Sequence, residues 1–303
     1  MINLGITVDV PNNNIKTIMT LINSKKINSL QMMFTKKNIT DKEIKKILKI
    51  TKKIKYKFIH ASYQINIGSE SIITENNIYN HSIQLLIDEM NISNKLNVNG
   101  IVVHLGKNTQ NRYDDLIVYN NMITNITNLF GQICFYKSLK NSTNSERLSK
   151  QQNIVNINNM PTLLIETSSG QKGELCYNLN DFVEFILSFK NTYFYENIGI
   201  CIDTCHVFQA GYDINNEKII KKIHKIFEPI KNKIKLIHLN SSFNTVGQHI
   251  DRHESIGKGH ILTKSLAKFI LPYLDLNIPI IMETSSPYNE QINTIKNEIL
   301  VNY

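Results

Sequence analysis

Arginine is scarce in this sequence. Only Arg112, Arg147 and Arg252 stand among 34 basic residues, so lysine carries most of the formal net charge of +9. Reading nucleic-acid bases favours the bidentate guanidinium fork, whereas lysine suits phosphate contact that ignores sequence. The chain is also saturated with Lys, Asn and Ile, so charge alone leaves a polyanion partner undecided. Cysteine is sparse, at four in 303 residues, which excludes a disulfide scaffold. No apolar run approaches the roughly 18 residues of a transmembrane helix, so no membrane span is expected. The opening MINLGITVDV reads as a strand and lacks the patterns of a secretory signal or transit peptide. An intracellular protein is expected. Two glycine-containing loops, SSGQKG (168–173) and IGKG (256–259), match neither a P-loop nor a dinucleotide fingerprint and read as tight turns.

What the sequence does have is alternation. Near-continuous apolar runs cover 2–10, 27–34, 56–60, 100–106, 161–167, 198–204, 234–240 and 278–284, as expected of strands covered on both faces. Amphipathic stretches lie between them: 39–53 with Thr40 as a cap, 79–96, and 180–189 with Asn180 as a cap. Eight strands alternating with helices predict an α/β protein, a (β/α)₈ TIM barrel, as a single domain over 1–303. The polar stretch 135–159 breaks the pattern and reads as a surface insertion.

Chemistry in such a barrel gathers at the C-terminal ends of the strands. Those ends carry His60, His104, Glu166, Asp203, His238 and Glu283 in order. A single strand-end histidine is usually a hydrogen-bonded core residue; six convergent imidazoles and carboxylates are harder to explain so, because buried carboxylates without cations are costly. His206 lies three residues past Asp203. Asp251 and His253 are spaced i, i+2, which in extended backbone places both on one side. Five histidines and four carboxylates suit zinc, with manganese or iron as alternatives, and supply two or three ions if a carboxylate bridges. Such a cluster suits phosphodiester hydrolysis. His249 is a lesser ligand candidate, His81 and His224 fall in helical patterns and read as surface residues, and His260 is undecided. Cys201 and Cys205, inside CIDTCHVFQAGYDI (201–214), read as packing, with Gly211 permitting a tight turn.

Several segments together resemble the endonuclease IV family of apurinic/apyrimidinic (AP) endonucleases. They are IHASYQINIG (59–68), IVVHLG (101–106), LLIETSSGQKGEL (163–175), CIDTCHVFQAGYDI, IHLN (237–240), DRHESIGKG (251–259) and IIMET (280–284). The resemblance implies a barrel with three Zn²⁺ ions, Mn²⁺ being a substitute. His60, His104 and Glu166 would hold one ion; Glu166 would bridge to a second shared with Asp203, His238 and Glu283; His206, Asp251 and His253 would hold the third. Glu283 and Glu166 would be the catalytic residues, Glu283 orienting the attacking water. The implied reaction cuts double-stranded DNA 5′ to abasic sites, leaving a 3′-hydroxyl and a 5′-deoxyribose phosphate, and clears blocked 3′ ends. A monomer is expected. Tyr63 matches a position facing DNA, and Lys36, Lys37, Asn38, Arg252 and Lys258 are candidate DNA contacts.

The sequence departs from the family in four places. KNITD follows FTK in place of polar and arginine residues, Ser241 and Ser242 follow HLN in place of an aspartate, Thr7 stands where histidine is common, and 135–159 has no counterpart in compact members. The serines are expected to loosen the support of His238. A metal-dependent sugar isomerase or epimerase on the same barrel is the alternative, and a non-catalytic DNA-binding protein the third class.

Overall fold

The structure, a computed structural model, describes residues 2–10, 15–36, 39–74, 77–109, 114–140, 160–285 and 287–302. Lys37 and Asn38 lie outside the described residues, as does 141–159 of the expected insertion. The chain runs β1 (Leu4–Val10), α1 (Ile15–Asn23), β2 (Ser29–Phe34), α2 (Asp41–Ile50), β3 (Tyr56–His60), β4 (Ile72–Thr74), β5 (Asn77–Tyr79) and α3 (His81–Lys95). Then follow β6 (Gly100–Val103), α4 (Asp115–Lys140), β7 (Thr162–Glu166), α5 (Leu179–Leu187), β8 (Ile198–Asp203), α6 (Thr204–Gln209) and α7 (Glu217–Phe227). The last elements are β9 (Ile234–His238), β10 (Ser241–Ser242), β11 (His253–Glu254), α8 (Thr263–Asp275), β12 (Ile280–Met282) and α9 (Tyr288–Asn302). Strands β1, β2, β3, β6, β7, β8, β9 and β12 close into a barrel in that order, every pairing parallel. This is the expected (β/α)₈ fold. Each expected strand contributes one barrel stave.

The two-residue period of a strand explains where the site lies. Phe58, Val102, Leu164, Cys201, Leu236 and Ile281 form an apolar cluster, one residue from each of six staves, separate from the larger core under the helices. Each sits two residues before a strand-end donor: His60, His104, Glu166, Asp203, His238 and Glu283. Side chains at i and i+2 share a face, so the plug of apolar residues forms the floor on which the donors stand. The other two staves fit tightly. A Cβ added at Gly5 would lie 2.2 Å from the Ser29 carbonyl oxygen of β2, so only hydrogen fits there.

The helices follow their end signals with one shift. Thr40 caps α2 in a capping box, its hydroxyl accepting from the Glu43 amide and the Glu43 carboxylate accepting from the Thr40 amide. Thr40→Ala should cost about 1 kcal/mol, read as a lower midpoint in denaturant with unchanged slope. For α5 the cap is Asn178, not the expected Asn180: the Asn178 side chain accepts from the Asn180 amide. Starting earlier buries Leu179, whose amide donates to the Tyr212 hydroxyl. The expected insertion also starts too early. Residues 135–140 continue α4, because FYKSLK contains no proline or glycine to stop a helix already under way. His81 is exposed on α3 as expected. His224 is not a surface residue: it is half-buried, with its Nε2 on the Phe269 carbonyl of α8. Among the described residues no helix is long and apolar enough to cross a membrane.

Candidate metal centre

The nine expected donors come together at one end of the barrel. They resolve into three groups, each with its donor atoms within 4.8 Å of one another: His60, His104 and Glu166; Glu166, Asp203, His238 and Glu283; and His206, Asp251 and His253. Glu166 belongs to two of them. Its Oε2 lies 3.4 Å from His60 Nε2 and 3.3 Å from His104 Nε2, while its Oε1 lies 2.7 Å from His238 Nδ1. Asp251 Oδ1 stands between His206 Nε2 at 3.1 Å and His253 Nε2 at 3.2 Å.

Local structure aims these groups. Asp203 ends β8 and caps α6: its Oδ1 accepts from the His206 amide, so its Oδ2 remains for the cluster. The same cap places His206 in the first turn, where its Nδ1 donates to the Thr167 carbonyl and its Nε2 faces Asp251. His60 donates from Nδ1 to the Ala61 carbonyl and presents Nε2. His238 presents Nδ1, because its Nε2 meets Gln31 Oε1 at 2.8 Å. Fixing one ring nitrogen on protein oxygen so that the other faces inward is how histidine is prepared as a ligand.

Imidazoles and carboxylates shift one another in this buried cluster. Burial alone would raise the carboxylates, but the imidazoles outweigh it, holding Glu166 well below its usual value and Glu283 at about 2. Burial would lower the imidazoles, yet the carboxylates lift His206 well above its usual value and His253 to about 9, and Cys201 with Glu283 and Glu166 lifts His238. His104 goes the other way, pushed down to about 4 by burial. Burial together with the Glu166 and Glu283 charges raises Asp203. Glu166 Oε2, His206 Nε2 and His253 Nε2 are buried without a hydrogen bond, although such atoms normally carry a high cost. All three are donors of the groups above. Anionic oxygen and imidazole nitrogen in three- and four-donor sets fit zinc.

Sulfur stands close but apart. Cys201 approaches Glu166 and His238, and Cys205 approaches Asp203 and His253. Both are buried free thiols, and burial pushes each up to about 12, so neither is a ready thiolate. Cys201 packs in the apolar floor, as expected. Cys205 packs on α6, its Sγ 3.8 Å from the Arg252 carbonyl. Gly211 has the left-handed φ of +101° that its turn requires.

The remaining candidates separate. Tyr63 is 62% exposed, with its ring 5.0 Å from that of His60 and 5.4 Å from that of His104, so it overhangs the first group. Lys258 is exposed on the turn closed by its amide and the Ser255 carbonyl. Arg252 is exposed, with its guanidinium over the Phe243 ring at 3.8 Å. Lys36 is paired with Glu43 at 2.7 Å, so its charge already has a partner at the α2 terminus. His249 lies outside the donor groups: its Nδ1 donates to the Ser169 carbonyl and its ring stands edge-on to Tyr177. His260 is exposed and outside the donor groups.

Three supporting residues escaped the sequence reading. Asn240 donates to Asp203 Oδ2 at 2.6 Å and accepts from the Glu283 amide. Gln209 is buried and ties Ser242 and the carbonyls of Asn244 and Thr245 to α6. Gln31 joins His238 to Glu283. Only Asn240 had a signal, its place two residues after the strand-end His238. The expectation for Ser241 and Ser242 is corrected. His238 is held by Gln31 and the carboxylates, while the two serines form β10 and pair antiparallel with β11, opposite Glu254 and His253. They brace the third group. Thr7 accepts from Gln31 at 3.1 Å.

Comparison with known proteins bears on the fold and the family. The family described as xylose isomerase-like TIM barrel (AP endonuclease family 2) matches residues 23–299. A protein named "Probable endonuclease 4" from Sulfurihydrogenibium sp. is 32% identical over 251 residues, covering 81% of this chain and 77% of that one. One of the same name from Thermosipho melanesiensis is 33% identical, covering 78% and 72%. Another from Mesomycoplasma hyopneumoniae strain J is 36% identical over a segment that spans 58% of each chain. Among solved structures, endonuclease IV from Thermus thermophilus superposes with a TM-score of 0.69 at 18% identity over 99% of both chains. A D-tagatose 3-epimerase-like protein superposes at 0.65 and 12%, over 99% of this chain and 98% of that one. At such identities the superpositions speak for the barrel alone, while the sequence matches speak for the family. The chain belongs to the endonuclease IV family of xylose isomerase-like TIM barrels.

Proposed function

We propose that this chain is a zinc-dependent AP endonuclease, a single barrel domain acting as a monomer on double-stranded DNA. It hydrolyses the phosphodiester 5′ to an abasic site, leaving a 3′-hydroxyl and a 5′-deoxyribose phosphate, and it removes blocks from 3′ ends. The observation that carries this reading is the division of nine donors into three groups, two of them sharing Glu166. Three ions, when bound, supply charge neutralisation for both the attacking and the leaving oxygen of a phosphodiester.

The chain's own residues do the rest. Glu283 has one oxygen fixed by Gln31 at 2.6 Å, and its Oε2 lies 3.0 Å from His238 Nδ1. That oxygen also accepts from Asn240 Nδ2 at 3.3 Å, and so aimed the carboxylate orients the attacking water. Tyr63, exposed above His60 and His104, lies against the sugar–phosphate path. Lysine-rich charge holds the backbone without reading bases.

The test is incision of a duplex containing one abasic analogue, with the ends mapped and metals counted on the same sample. Expected are cleavage on the 5′ side, three zinc ions per chain, and loss of about 10³-fold in kcat on Glu283→Gln. Intact duplex at high concentration of the zinc-loaded chain would sink the reading. One ion per chain with turnover of a free sugar would favour an epimerase instead.

A further inference from the structure

Gln31 is fully buried on β2 and faces the barrel interior beside Thr7, its register partner on β1. Its amide group makes three contacts. Nε2 lies 2.6 Å from Glu283 Oε1 and 3.1 Å from Thr7 Oγ1; Oε1 lies 2.8 Å from His238 Nε2.

The chemistry of the partners fixes which end is which. A carboxylate only accepts, so the nitrogen of the amide must face Glu283. The oxygen then faces His238, and His238 Nε2 must carry the hydrogen. The ring's other nitrogen, Nδ1, is left facing Glu166 Oε1 at 2.7 Å, Glu283 Oε2 at 3.0 Å and Asp203 Oδ2 at 3.8 Å. A bare lone pair among three carboxylates is repelled, so Nδ1 needs either a proton or a cation. One amide therefore decides both which nitrogen His238 offers and which oxygen Glu283 turns to the second group.

We propose that Gln31 is a positioning residue of the metal centre, holding His238 in the Nε2–H tautomer and Glu283 with its Oε2 turned to the second group. The inference rests on the metal-centre reading above. It goes further by making the second ion depend on an uncharged residue from a strand that contributes no ligand. Apolar residues of similar length, such as methionine, would fill the space but take the Gln31 partner from His238 Nε2, Glu283 Oε1 and Thr7 Oγ1.

The test has two independent arms. In wild-type protein labelled with ¹⁵N-histidine, His238 should show a protonated Nε2 both before and after zinc loading, with the zinc-induced shift at Nδ1. Gln31→Met should weaken binding of one zinc about 10- to 100-fold. On abasic duplex it should lower kcat while leaving KM unchanged. Zinc bound at Nε2 of His238 overturns the proposal, as does a Gln31→Met chain that keeps three ions at wild-type affinity with unchanged kcat. If wild-type protein fails to cut DNA, the nuclease reading falls, while the nitrogen shifts and the zinc affinity still decide the role of Gln31.

Discussion

Glu166→Gln should abolish incision, by about 10⁴-fold or more, and should leave the purified chain with one tightly held ion instead of three. The reason lies in the use of both oxygens. Oε2 serves His60 and His104, Oε1 serves His238, and the residue is almost fully buried. A glutamine fills the same volume, but one side of its amide is an N–H donor. Turned one way it points hydrogens at the first group, and turned the other way at the second. Neither orientation provides two anionic oxygens, so neither group retains its charge balance. The third group, His206, Asp251 and His253, shares no donor atom with Glu166 and should still bind. The metal-free variant should also be less stable, because His238 would lose a close counter-charge in the interior, a loss of about 3–5 kcal/mol for a broken buried pair. Elemental analysis, a thermal melt and DNA binding at low salt separate these effects. Three ions retained with incision within tenfold of wild type would refute the bridging role.

How much of this was legible in the sequence depends on the range of the interaction that places each residue. The strand-end donors were legible because a two-residue period links each to an apolar residue of the floor, as Leu164 to Glu166 or Leu236 to His238. The pair Asp251 and His253 was legible for the same reason. The α5 cap was misplaced by two residues because the choice between Asn178 and Asn180 is made by the Tyr212 hydroxyl, which comes from a later loop. Gln31 was illegible because its two decisive partners lie 207 and 252 residues away. A glutamine inside an apolar strand carries no local mark of that role. Ser241 and Ser242 were read as a loss beside His238, when their contribution is to pair with β11 across the intervening loop. Pairing of that kind requires knowing how the loop returns.

That return also rests on Gly259, and Gly259→Ala should selectively release the third ion. No left-handed φ is required at this position; the constraint is space. An added Cβ would lie 2.2 Å from Ser241 Oγ and 2.6 Å from the Ser242 carbonyl oxygen. The serine cannot swing away freely, because its hydroxyl both accepts from the Ile261 amide and donates to the Ile261 carbonyl. The Ser242 carbonyl is held by the His260 amide at 2.8 Å. The β10–β11 pair must therefore shift as a unit, and His253 moves with it. Overpacking of this size costs about 1–3 kcal/mol, and displacing a ligand's support should weaken the third site about 10- to 100-fold, leaving the two groups that share Glu166 filled. Gly257, two residues earlier, is the control. Its φ is +91°, but an added Cβ would meet nothing closer than 3.7 Å. Gly257→Ala should cost about 1–2 kcal/mol in backbone strain yet keep all three ions, since nothing presses on the serines. A zinc titration of both variants distinguishes crowding from strain. If Gly259→Ala binds three ions with wild-type affinity, the serine ladder does not hold the third group in place.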